Sequence, residues 1–404
     1  MEQGFRHYLT ITGGYWAFTI TDGAIRMLVV LYFHQLGYSP LEIAMLFLFY
    51  EFFGIVTNLV GGWLGARIGL NRCMHIGMSM QIGALLMLTV PDAWLSVAYV
   101  MSAQALSGIA KDLNKMSAKA GVKLFVPESG DAKLFRWVAI LTGSKNALKG
   151  GGFFIGGTLL AWLGFRGALL ALATVLALAL AVTWLLLPTG LGKTSAKAKF
   201  SEIFSKSAAI NRLSAARFFL FGARDIWFVV ALPLFLAAEL GWNYTEVGAF
   251  FALWVIGYGI VQASAPGLFR RNSGDLPDGR MVAFLGFALM IVPAVMALLL
   301  LQGWPSATVV IAGLALFGVL FAMNSAVHSF LIVSWSEREH VSMNVGFYYM
   351  ANAGGRLAGT VLSGLVYQSQ GLIGCLLWSA GFLLASGAIS MFIPKRQELP
   401  DNLF

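Results

Sequence analysis

Lys111, Lys115, Lys119 and Lys123 recur every four residues within AYVMSAQALSGIAKDLNKMSAKAGVKLFV, residues 98–126. On an α-helix that spacing places neighbouring ammonium groups on one side, drifting slowly round the axis. The stretch is otherwise apolar enough to lie in a membrane, where a lysine at the bilayer centre costs about 2.5–3.5 kcal/mol. Lys119 and Lys123 are near enough to the end of the stretch to snorkel to the interface. Lys111 and Lys115 are deeper, a position that implies a water-filled path and an anionic passenger. The plainer alternative is a long helix whose last turns lie outside the membrane.

Other ionisable residues fall inside apolar stretches in the same way. Arg26, Lys111, Lys115, Lys145, Lys149, Arg217, Arg224 and Arg356 are basic; Asp22, Glu51, Asp112 and Asp225 are acidic. Asp22 and Arg26 have the i, i+4 spacing of a helical ion pair. Structural pairs of this kind use up four cations and leave about four without a carboxylate. Unpaired buried charge is expensive, and a polyanionic substrate supplies the missing partners. Guanidinium groups grip phosphate-like oxyanions bidentately, and lysines add point charge. Arg217, two turns from the end of its stretch, reads equally as interfacial. His328, among small and apolar residues, reads as a helix-packing group or a proton carrier. Asn58, Asn114, Asn324 and Asn352 suit bonds between helices as well as ligand binding.

The elements that position these residues are membrane helices. Apolar residues make up 58% of the 404 residues and charged residues 11%, with a mean hydropathy of +0.78. The chain reads as an all-α polytopic membrane protein. Twelve spans are expected, at about 8–34, 42–65, 73–90, 94–124, 133–163, 166–188, 209–239, 244–268, 281–302, 306–335, 342–369 and 371–393. Lys and Arg collect on alternate connections, with Arg166 the exception, which places both termini in the cytoplasm. The net charge of +9 reflects these loops rather than a nucleic-acid partner. The basic connection 189–208 divides an N-terminal half, 1–188, from a C-terminal half, 209–404. Cys73 and Cys375 form neither a disulfide framework nor a metal site, and no metal, cofactor or catalytic group is expected.

The halves carry internal matches. GYSPLEIAMLFLFY (37–50) matches GWNYTEVGAFFALW (241–254), with Glu42 on Glu246 and Gly37 on Gly241. NALKG (146–150) matches NAGGR (352–356) at nearly the same offset. A duplicated six-helix unit with a basic central loop resembles the major facilitator superfamily. The loop GGWLGARIGLNR (61–72) keeps Gly62, Arg67, Gly69 and Arg72 of that family's signature, but Ala66 stands where the family has a carboxylate. The resemblance implies that spans 1, 4, 7 and 10 line a central path flanked by spans 2, 5, 8 and 11. Almost every buried charge lies on these eight. A central anion site built from Arg26, Lys149, Arg224 and Arg356 is expected, with Lys111, Lys115 and Lys145 close by. Asp22, Glu51, Asp112, Asp225 and His328 would balance charge or carry protons, and Lys119 and Lys123 would stand at the cytoplasmic mouth.

Over essentially the whole chain, strings such as SGIAKDLNKMSAKA (107–120), TGSKNALKGGGFF (142–154), SAARFFLFGARDIWFVVALP (214–233) and YEFFGIVTNLVGGWLGARIGLNR (50–72) resemble the ArsJ-type organoarsenical efflux permeases. That resemblance implies a bacterial inner-membrane exporter of 1-arseno-3-phosphoglycerate that confers arsenate resistance. It implies glyceraldehyde-3-phosphate dehydrogenase, which makes that compound from arsenate, as functional partner. Pentavalent arsenic is recognised as an oxyanion and needs no thiol. An organophosphate/phosphate exchanger, or another organic-anion exporter, would use the same charges. A membrane-embedded enzyme fits less well, since no metal cluster or nucleophile–base pair is identifiable from spacing; a non-transporting sensor remains the other class.

Overall fold

The computed structural model describes residues 2–125, 131–187, 207–273, 277–335 and 341–393. Among them every regular element is helical: α1 (Glu2–Gln35), α2 (Pro40–Leu46), α3 (Leu48–Ile68), α4 (Leu70–Met87), α5 (Val97–Phe125), α6 (Asp131–Leu186), α7 (Ala208–Phe228), α8 (Ala231–Leu234), α9 (Tyr244–Ser273), α10 (Gly279–Leu301), α11 (Ser306–Ser334) and α12 (Val341–Ser390). By length and composition, eight stretches among the described residues are able to cross a membrane: Leu9–Gln35, Pro40–Asn58, Ser144–Leu186, Ala208–Glu239, Tyr244–Ala265, Gly279–Leu301, Ser306–Ile332 and Gly346–Ser390. The protein is a multi-pass, all-α membrane protein.

Two helices are interrupted at glycine. α6 runs for 56 residues with Gly164 at φ 65°, and α12 for 50 residues with Gly371 at φ 64°. Gly164 falls in the gap 164–165 between two expected spans, and Gly371 is the first residue of the span expected over 371–393. A left-handed backbone at one residue is available to glycine without steric cost, so one residue does the work of a turn. The span expected over 209–239 is also broken. α7 ends at Phe228, and the amides of Val230 and Ala231 donate to Ser363 Oγ at 3.3 and 3.1 Å. Pro233 has no N–H for the carbonyl one turn back, and a π-helical turn, Phe235–Glu239, follows α8.

The internal match at 37–50 and 241–254 has a local structural meaning. Gly37 and Gly241 both adopt positive φ, 84° and 69°. Ser39 Oγ then accepts from the Glu42 amide while Glu42 Oε2 accepts from the Ser39 amide at 2.8 Å. Asn243 Oδ1 and Glu246 Oε2 exchange the same two bonds, at 2.9 and 2.8 Å. Each match is therefore a left-handed turn followed by a reciprocal cap that starts a helix.

The chain forms two compact units. The first comprises Met1–Leu36, Phe49–Phe200 and Asn243–Ile256; the second comprises Gly37–Leu48, Ser201–Trp242 and Gly257–Phe404. In the first, Ile11, Phe18, Met74, Met78 and Leu176 join α1, α4 and α6 in one buried cluster. In the second, Leu213, Leu285, Leu331, Tyr348 and Ile393 do the same for α7, α10, α11, the N-terminal part of α12 and the residues just beyond its end.

Candidate functional site

In the first unit, close helix approach comes before the charges. A Cβ on Gly23 would meet the Lys149 carbonyl at 2.6 Å, and one on Gly152 would meet the Ile20 carbonyl at 2.5 Å. Only hydrogen fits at these positions, so α1 and α6 touch backbone to backbone. The contact brings Lys149 beside Asp22, with Nζ donating to Oδ2 at 3.2 Å. A Cβ on Gly108 of α5 would likewise collide with the Tyr50 backbone of α3.

Tyr50 organises the cluster that results. Its hydroxyl donates to Asp22 Oδ1 at 2.5 Å. Lys111 Nζ lies 4.0 Å from its ring centroid and the Arg26 guanidinium carbon 4.8 Å, both within cation–π range. Arg26 Nη2 donates to Glu51 Oε1 at 2.7 Å. Lys115 Nζ donates to Asp112 Oδ1 at 2.9 Å and to Asn58 Oδ1 at 2.6 Å, and Lys111 Nζ lies 3.8 Å from Asp112 Oδ2. The pairing expected from sequence within α1 is thus replaced. Asp22 and Arg26 both reach to other helices, because Tyr50, Lys149 and Glu51 are brought alongside.

The second unit repeats the device. A Cβ on Gly355 of α12 would collide with the Phe218 carbonyl of α7, and one on Gly359 would meet the Gly222 carbonyl at 2.5 Å. This contact sets Arg356 against Asp225, with Nε donating to Oδ2 at 2.9 Å. Arg224 grips the other oxygen, with Nε at 2.7 Å and Nη2 at 2.5 Å from Oδ1. Its guanidinium also lies 4.9, 5.4 and 5.5 Å from the rings of Phe221, Phe228 and Phe321. Asp22–Lys149 and Asp225–Arg356 are thus equivalent carboxylate–cation bridges, each held by a glycine contact between two helices.

At least six of the eight basic residues singled out in the sequence therefore touch a carboxylate. The expectation that only four would do so is corrected: Asp112 and Asp225 each serve two cations. The charge excess itself is unchanged at eight cations against four carboxylates. Lys145 is half-buried on α6. The side chains of Lys119 and Lys123 lie outside the described residues, as do those of Arg67 and the basic linker. Arg217 is 4% exposed, and His328 is fully buried. No cluster of metal-ligating side chains occurs among the described residues, and Cys73 and Cys375 are both buried thiols.

The family model described as Major Facilitator Superfamily matches residues 11–271 and 213–402. The chain belongs to the major facilitator superfamily. This facilitator's fold is also that of solved transporters. It superposes on a POT family transporter crystallised with a thioalcohol-conjugated peptide at a TM-score of 0.77 and 14% identity, covering 95% of this chain and 94% of that one. It superposes on the human organic anion transporter MFSD10 (TETRAN) at a TM-score of 0.66 and 16% identity, covering 96% and 98%. The search of curated proteins returned no match.

Tyr50, Ser325, Tyr258 and Gln262 are polar participants that sequence reasoning did not select. For Tyr50 a signal existed, since a tyrosine directly before a buried Glu51 has a hydroxyl that needs a partner. Ser325 had none, because a serine in a membrane helix most often bonds its own backbone.

Proposed function

We propose that this facilitator exports 1-arseno-3-phosphoglycerate, an arsenylated and phosphorylated three-carbon acid, and thereby confers arsenate resistance. It would do so across a bacterial inner membrane, through twelve helices in two six-helix halves with both termini cytoplasmic. The observation that carries the reading is the excess of cations within the apolar helices, eight against four carboxylates. The resemblance of long strings throughout the chain to the ArsJ-type permeases narrows an anion to this one. The residues assigned to the substrate are Arg26, Lys111, Lys115, Lys145 and Lys149 in the first unit, with Arg224 and Arg356 in the second. Asp22, Glu51, Asp112 and Asp225 keep these cations oriented while no substrate is bound. A phosphate, an arsenate and a polar backbone offer several oxygens to guanidinium forks and ammonium groups.

Export needs no proton in this account. An anion leaving a cell that is negative inside gains about 2.3 kcal/mol per charge per 100 mV. The supply of substrate depends on glyceraldehyde-3-phosphate dehydrogenase, a functional partner that need not touch the transporter.

The test is arsenate tolerance and arsenic efflux in cells with and without that dehydrogenase. Tolerance should require both proteins and should vanish in Arg224→Gln and Lys149→Gln at unchanged membrane abundance. Tolerance that persists without the dehydrogenase would point to arsenate itself or to another passenger.

A further inference from the structure

Arg217 lies on α7 two turns before Arg224, and it is buried without a counter-ion among the described residues. Its Nε donates to Asn352 Oδ1 at 3.0 Å, and its Nη1 donates to Ser325 Oγ and the Ser325 carbonyl at 3.1 and 3.4 Å. The guanidinium carbon lies 3.9 Å from the Phe221 ring centroid and 5.2 Å from that of Tyr348. Every one of these partners is neutral, and no carboxylate pairs with Arg217 among the described residues. Arg26, Arg224 and Arg356, in contrast, each touch one. A buried guanidinium left to dipoles and rings keeps its full charge in a medium that screens it poorly.

The surroundings of Arg217 are rich in donors. Tyr258 Oη and Gln262 Nε2 reach the same Ser325 Oγ that accepts from Arg217, at 3.3 and 3.4 Å. Three donor groups from α7 and α9 thus converge on one hydroxyl oxygen. One turn further along α11 stands His328, fully buried, with neither ring nitrogen hydrogen-bonded among the described residues. A converging set of donors, one uncompensated cation and an imidazole lacking partners are what an oxygen-rich anion would complete.

We propose that Arg217, Tyr258, Gln262, Asn352 and His328 form a second oxyanion site within the second unit, adjoining the Arg224–Asp225–Arg356 cluster across the shared Phe221 ring. The ligand class is a tetrahedral oxyanion of the phosphate or arsenate type, carried either as a free ion or as a headgroup. The site does not depend on which organic anion is exported, and its test needs no transport.

The full-length protein in neutral detergent is heated with inorganic phosphate, with arsenate, or with chloride at matched ionic strength; a further arm adds phosphatidylglycerol. The midpoint should rise with the logarithm of phosphate or arsenate concentration beyond the half-saturating value, as ligand binding to the folded state requires. Chloride should not reproduce the rise. Arg217→Gln should lower the shift several-fold, Arg217→Lys should lower it less, and Gly13→Ala, where an added Cβ meets nothing within 4 Å, should retain it. If Arg217→Gln is too unstable to purify, Gln262→Leu takes its place and should weaken the response several-fold. A rise with phosphatidylglycerol alone, lowered in Arg217→Gln, assigns the oxyanion to a lipid headgroup. An equal shift in wild type and Arg217→Gln, or no shift in wild type in any arm, would overturn the proposal.

Discussion

Replacing Asp225 by asparagine gives the sharpest perturbation of the charge balance in the second unit. The carboxylate is completely buried and accepts three bonds from two arginines, at 2.7 and 2.5 Å from Arg224 and 2.9 Å from Arg356. Asparagine keeps the shape, but one of its two ends becomes an NH2 group facing a guanidinium N–H. Two buried cations then share no negative partner. Removing one member of a buried charged pair costs about 3–5 kcal/mol, and that is the loss of stability expected for ligand-free Asp225→Asn. The same change removes the group that competes with substrate for Arg224 and Arg356. A stable fragment of the substrate, 3-phosphoglycerate, should therefore bind the variant more tightly than wild type. At one hundred times its Kd it should restore about 2.7 kcal/mol. Thermal unfolding of the detergent-solubilised protein over a ligand titration reads both effects, and Asp225→Asn combined with Arg356→Gln should recover part of the lost stability. An Asp225→Asn protein as stable as wild type that binds 3-phosphoglycerate more weakly would refute the counter-ion role.

Gly355→Ala places a methyl group against the Phe218 carbonyl; overpacking of this kind costs about 1–3 kcal/mol and should reduce export together with stability in unfolding and efflux assays. Gly13→Ala, where a Cβ meets nothing within 4 Å, should leave both unchanged. Neutralising Lys119 and Lys123 together should weaken apparent substrate affinity more at low than at high salt, because a charged mouth acts through a screened field; a lower maximal rate that ignores salt would place them in the site instead. Uptake into everted vesicles should follow an imposed potential without a pH gradient, and dependence on the pH gradient alone, lost in Asp22→Asn, would establish obligatory proton exchange.

The location of the charges was legible in the sequence because ionisable residues in apolar helices are too costly to be incidental. Their pairing was not. The nearest cation to Asp22 along α1 is Arg26, but its hydrogen-bonded cation is Lys149, 127 positions away. That partner is chosen by the Gly23–Gly152 contact, a close approach of backbones that no spacing rule encodes. The match of NALKG with NAGGR pointed to Lys149 and Arg356 together, and both turn out to bridge to an aspartate on the helix their glycines press against. Asp22 and Asp225 themselves lie 203 positions apart, close to the offset of the other matches, so the symmetry was present but hidden by the unequal positions of Arg26 and Arg224. Arg217 was ambiguous from its distance to the end of its span. What buries it is packing against Tyr348 and Asn352 of α12, which depends on tertiary contact alone.

Transport in everted membrane vesicles tests the central claim most directly. Vesicles are given arsenate, glyceraldehyde-3-phosphate, the oxidised nicotinamide cofactor and glyceraldehyde-3-phosphate dehydrogenase, so that the labile substrate forms on the cytoplasmic face. Arsenic should accumulate inside only when all components and the transporter are present, and not with Arg224→Gln. Accumulation that is the same without the dehydrogenase, or absent from the complete mixture, would contradict the assignment of 1-arseno-3-phosphoglycerate as the exported anion.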